Sequence, residues 1–132
     1  LLTDENTIWQ QNNFIYLHMN ISEERLQADC YQWFHNSFPE LRGLLWHVPN
    51  GGQRSASEAN KFKAIGLVPG VADLHFFYNE HMYFIELKIE TGRLSENQVK
   101  WIEAISQQKG EVVVIRDLKT FQNFINEIVQ NS

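Results

Sequence analysis

Apolar positions along this chain repeat at two different periods, and the switches between them mark out its elements. Leu26, Cys30, Trp33, Phe34 and Phe38 fall at helical spacing, which places them on one stripe of an amphipathic helix. Ser22 stands before it as N-cap, Glu23 and Glu24 occupy the first turn where the helix dipole favours acid, and Pro39 stops it. The pattern predicts a helix over 22–38, then a short strand over 44–48. Pro49 to Arg54 is a loop rich in turn residues. Ser55 with Glu58 fits a capping box, opening a helix that stops at Gly66. After Pro69-Gly70, two apolar-rich runs over 72–78 and 82–88 flank the polar pair Asn79-Glu80, the pattern of a β-hairpin. Ser95 begins a further helix that turns Val99, Trp101, Ile102 and Ile105 inward and ends at Gly110. A strand over 111–116 follows, and Asp117 caps a last helix carrying Leu118, Phe121, Ile125 and Ile128.

The predicted order is helix, strand, helix, hairpin, helix, strand, helix. That order implies an α/β fold, a sandwich built on a central mixed four-stranded sheet flanked by helices. Apolar residues on both faces of the hairpin strands are what helices on both sides require. Residues 1–21 are less legible, with a polar cluster over 10–13 and an apolar run over 14–19 that suits either a strand or a helical turn. We read 1–21 as an N-terminal arm, packed on the domain or building a dimer, and 22–132 as one domain.

The hairpin concentrates the chemistry. If Asn79-Glu80 is a two-residue loop, Tyr78 sits opposite His81, and counting back along both strands puts Asp73 opposite Glu86. Directly opposed residues have Cβ atoms about 4.5–5.5 Å apart. Lys88, two residues beyond Glu86, points to the same face. Two carboxylates at that distance repel, and burial beside Phe77 and Phe84 penalises their charge further. A divalent cation removes the conflict, and oxygen-only ligands select a hard ion such as Mg²⁺. The plainer alternative makes Glu86 and Lys88 polar strand ends and Asp73 a turn residue.

Composition bounds the picture without sharpening it. The chain has 132 residues, 43% hydrophobic and 20% charged, with a formal net charge of −5. Those values describe an ordinary globular domain, and the negative total argues against a nonspecific nucleic-acid coat. A single cysteine, Cys30, leaves no internal disulfide or thiolate zinc cage. No apolar run spans a bilayer and no secretory leader is evident. We therefore expect a reducing, intracellular compartment. The five histidines show no zinc spacing. Trp33, Trp46 and Trp101 read as core residues rather than base-stacking platforms, and His75 as filler or as a neighbour of Asp73.

With these residues in view, the chain resembles the VRR-NUC family, the virus-type replication-repair branch of the PD-(D/E)xK nucleases. The motifs stand as Glu24-Arg-Leu-Gln27, Pro49-Asn-Gly-Gly-Gln-Arg54, Gly66-Leu-Val-Pro-Gly-Val-Ala-Asp73, Glu86-Leu-Lys88 and Leu94-Ser-Glu-Asn-Gln98. The family usually has proline before the aspartate, where this chain has Ala72. The resemblance implies a restriction-endonuclease-like fold and hydrolysis of DNA phosphodiesters with Mg²⁺ or Mn²⁺. It makes Asp73, Glu86, the backbone carbonyl of Leu87 and Glu24 the metal ligands, and Lys88 the group that positions water. It gives Gln98 an orienting role, although Ser95 and Gln98 also form a capping box. Gln27, Asn50 and Arg54 are then candidates for substrate contact.

The same resemblance implies a homodimer that cuts branched DNA such as a four-way (Holliday) junction. Processing of flaps, nicks or ends is the alternative within the same chemistry. A catalytically inactive DNA- or protein-binding module is the alternative outside it.

Overall fold

The computed structural model describes residues 22–49 and 55–131. Asn50, Arg54 and the arm over 1–21 lie outside the described residues. The elements are α1 (Glu23–Ser37), a 3₁₀ turn (Pro39–Leu41), β1 (Leu45–His47), α2 (Ala56–Ala64), β2 (Leu74–Tyr78), β3 (His81–Leu87), α3 (Glu96–Gln107), β4 (Glu111–Ile115) and α4 (Leu118–Gln130). Their order is the one predicted. Ser22, Ser55, Ser95 and Asp117 each cap the following helix by accepting a backbone N–H.

The four strands form one sheet in the order β1-β2-β3-β4. β1 pairs antiparallel with β2 and β2 with β3, whereas β3 and β4 run parallel. A parallel neighbour needs a crossover, and α3 provides it. The predicted α/β sandwich on a mixed four-stranded sheet is therefore the observed architecture. The hairpin turn has Asn79 and Glu80 at φ 49° and 66°, the left-handed pair that matches the twist of two-residue hairpins.

Strand alternation sends Leu74, Phe76, Ile85 and Leu87 to one face, where Leu26, Cys30 and Phe34 of α1 and Phe121 and Ile125 of α4 cover them. Each fully buried side chain of this size contributes about 1.5–3 kcal/mol. Phe34 meets Phe76 edge-on at 5.4 Å, and Trp33 meets Phe121 at 5.9 Å. Burial, assisted by Asp29 and Asp117, pushes the Cys30 thiol up to about 12, so it is a packing residue and no nucleophile.

The other face is only partly covered. α3 packs on β4, and its Trp101 reaches Phe84 and His75. No residue of α3 is fully buried, and Val99, expected to face inward, is 39% exposed. Trp46 and Phe77 are 36% and 43% exposed. Trp46 is thus not the core residue its sequence context suggests. Among the described residues no helix is long and apolar enough to cross a membrane.

Candidate active site

Asp73 immediately precedes β2, and the Leu74–Ile85 pairing sets it opposite Glu86. Its Oδ2 accepts a hydrogen bond of 2.8 Å from the Leu87 N–H. Its main-chain carbonyl accepts from Val48 N–H at 3.0 Å and from His47 Nδ1 at 2.8 Å. Three strands therefore hold this one residue. In an extended strand the N–H and C=O of a residue point to the same side, so the Leu87 carbonyl also points to the β2 side of β3.

Glu86 is 1% exposed. Gln98 Nε2 donates to its Oε1 at 2.9 Å, while its Oε2 is buried with no partner. Burial above all, then the charge of the neighbouring Asp73 carboxylate, pushes Glu86 up to about 8, against the pull of Lys88. A buried carboxylate oxygen without a donor is costly. Held beside a second carboxylate, it fits a cation better than it fits an empty pocket.

Lys88 is 7% exposed, with Nζ 3.4 Å from Glu23 Oε1. The acid that the structure brings to the site is therefore Glu23. Glu24, the residue of the sequence motif, is exposed. One residue along a helix is a rotation of about 100°, enough to move a side chain off the site-facing stripe. Gln27 lies four residues from Glu23, on the same helix face, and is partly buried. The signal available in the sequence was this Glu-x-x-x-Gln spacing. The loop after Lys88 is pinned by Arg116, whose Nη1 donates to the carbonyls of Ile89 at 2.8 Å and Gly92 at 2.7 Å. Nothing in the sequence pattern singled out Arg116.

Gln98 completes the capping box and also reaches Glu86. Its Oε1 accepts from Ser95 N–H at 2.8 Å, and Ser95 Oγ accepts from its backbone N–H at 3.2 Å, completing the capping box. The other end of the same amide serves Glu86. Gly70 lets the preceding loop close on this helix end. It has φ +88°, and a Cβ there would lie 2.3 Å from the Asn97 carbonyl oxygen and 2.7 Å from Gln98 N.

Among the described residues no group of three His, Cys, Asp or Glu side chains could hold a metal ion. Two carboxylates, Asp73 and Glu86, do face each other. Mg²⁺ is commonly bound through one or two carboxylates and keeps several waters, so the residues fit such an ion. His75 packs against Phe84 at 4.9 Å, Trp46 at 5.9 Å and Trp101 at 6.4 Å, and burial lowers its pKa. It is a packing ring whose Nε2 is buried without a hydrogen-bond partner among the described residues. A cavity of about 490 Å³ between the hairpin turn and α4 includes Tyr83, Glu111 and Phe124. None of Asp73, Glu86 or Lys88 lines it.

The model of the VRR-NUC domain family matches residues 21–117. Among solved structures, a VRR-NUC domain protein superimposes with a TM-score of 0.69 at 22% identity, covering 84% of this chain and 90% of its own. A second VRR-NUC domain does so with a TM-score of 0.52 at 20% identity, covering 79% and 94%. At these identities both show the shared fold. No curated protein matches the sequence. The family match runs from the cap of α1 to the cap of α4 and spans the whole carboxylate site, and the chain belongs to the VRR-NUC family of nuclease domains.

Proposed function

We propose that this protein is a metal-dependent endonuclease that hydrolyses phosphodiester bonds in branched DNA, acting as a homodimer on four-way junctions. One observation carries the reading: the buried Glu86 Oε2 without a partner, facing Asp73 with Lys88 beside it. Asp73 and Glu86 would hold Mg²⁺ or Mn²⁺, with the Leu87 carbonyl as a further oxygen. When bound, such an ion polarises the scissile phosphate and lowers the pKa of a coordinated water.

The chain's own residues do the rest. The Leu87 N–H keeps Asp73 turned inward, and Gln98 fixes the Glu86 carboxylate from the opposite side. Lys88, held by Glu23, offers an ammonium to the attacking water and to charge developing on the phosphate. Gln27 shares that edge of the site and would contact substrate, as would Asn50 and Arg54. Twofold symmetry of a dimer would match a twofold junction.

The test is cleavage of an end-labelled four-way junction beside a linear duplex, with and without Mg²⁺. Junction cleavage that needs the cation supports the proposal. Cation-dependent cleavage of flaps or nicks at equal or greater rate would move the assignment to end processing. Binding without cleavage of any DNA in Mg²⁺ or Mn²⁺ would leave the inactive-module reading standing.

A further inference from the structure

We propose that Trp46 is a stacking platform for a nucleobase next to the cleaved phosphate that has lost its stacking neighbour, as at a branch or a bulge, and so selects DNA whose helical stack is interrupted. This inference rests on the nuclease reading above and adds the feature of the substrate that the site would recognise. Trp46 lies on β1 directly opposite His75, and His75 is two residues from Asp73 on the same sheet face. Trp46 and Asp73 are therefore diagonal neighbours across an antiparallel pair, about 7–8 Å apart and somewhat closer between Cβ atoms. That is within the reach of a single nucleotide.

The indole is open to a ligand and is firmly placed. It is 36% exposed, and its contact with His75 is edge-like, with ring centroids 5.9 Å apart at 62°. His75 is itself clamped by Phe84 and Trp101, so the indole rests on a packed aromatic support. The end of β1 is tied to the Asp73 carbonyl by Val48 N–H and His47 Nδ1. The carboxylate that would hold the cation and the ring that would hold the base are thus parts of one rigid unit. Stacking accepts any base, because every base has a π-face. A base inside a continuous duplex is already stacked, whereas one at a branch or bulge is free to move onto the indole.

The experiment uses a duplex with a single unpaired 2-aminopurine and its fully paired counterpart, with Ca²⁺ for binding and Mg²⁺ for cleavage. The unaltered protein should quench the unpaired 2-aminopurine and cut the interrupted duplex in preference to the paired one. Trp46→Ala should lose the quenching and lower that preference about tenfold, the order of one base–aromatic stack. Trp46→Phe, which keeps a ring and protects against a folding artefact, should restore at least part of both. Unchanged quenching and preference in Trp46→Ala, with cleavage intact, would overturn the stacking role alone. Loss of dimer in solution scattering, with every DNA affected equally, would overturn it in favour of a second copy of the chain on this face. Failure of the unaltered protein to cut any DNA would overturn the nuclease reading, and the stacking role with it.

Discussion

The amide of Gln98 joins two structures at once: Nε2 donates to Glu86 at 2.9 Å while Oε1 closes the N-terminus of α3 on Ser95 at 2.8 Å. The helix cap thereby orients the buried carboxylate.

The two functions of that amide are separable. Gln98→Glu keeps an oxygen for the Ser95 N–H but replaces the donor to Glu86 with a third carboxylate. It should preserve the cap and reduce cleavage at least tenfold. Gln98→Ala should lose both, at a stability cost of about 1 kcal/mol for the cap. Thermal melts and cleavage rates of the two variants make the comparison.

Proton and cation compete for Glu86. Its carboxyl is raised from 4.5 to about 8, so between those values the metal-free folded protein holds a proton that the unfolded chain has released. Stability of the metal-free protein should therefore fall as pH rises through that window and level off above about 8. A bound divalent cation displaces the proton, so stabilisation by Mg²⁺ should grow over the same window. Thermal shifts with Mg²⁺ and with EDTA from pH 5 to 9 measure both, and Glu86→Gln should flatten both curves.

Glu23 and Glu24 give a direct comparison of neighbours. Glu23→Gln removes the partner of Lys88 and should lower cleavage about tenfold. Glu24→Gln changes an exposed carboxylate and should leave the rate within about twofold. The reverse order in single-turnover assays would return the role to Glu24.

Gly70 is required by two independent constraints, its φ of +88° and the 2.3 Å approach of a Cβ to the Asn97 carbonyl. Gly70→Ala should cost about 1–3 kcal/mol. It should also displace Gln98, so cleavage falls even at temperatures where the variant stays folded.

Much of this site was legible in the sequence because a two-residue turn fixes hairpin register. Once Asn79-Glu80 is recognised as that turn, Asp73 must face Glu86. The caps Ser22, Ser55, Ser95 and Asp117 were legible for a similarly local reason. What was not legible depends on tertiary contacts. The helical phase favouring Glu23 was available, since Glu23 lies three and seven residues before Leu26 and Cys30, but that Lys88 reaches it was not. The exposure of Trp46 and Val99 depends likewise on packing between elements distant in sequence. The carbonyls gathered by Arg116 lie more than twenty residues away in sequence.

The central claim is that Asp73 and Glu86 share one divalent cation. Calorimetric titration of the apo-protein with Mn²⁺ at pH 8, beside Asp73→Asn and Glu86→Gln, addresses it without any DNA. We predict saturable binding to the unaltered protein and at least tenfold weaker binding to each variant. Equal Mn²⁺ binding by all three proteins would contradict it.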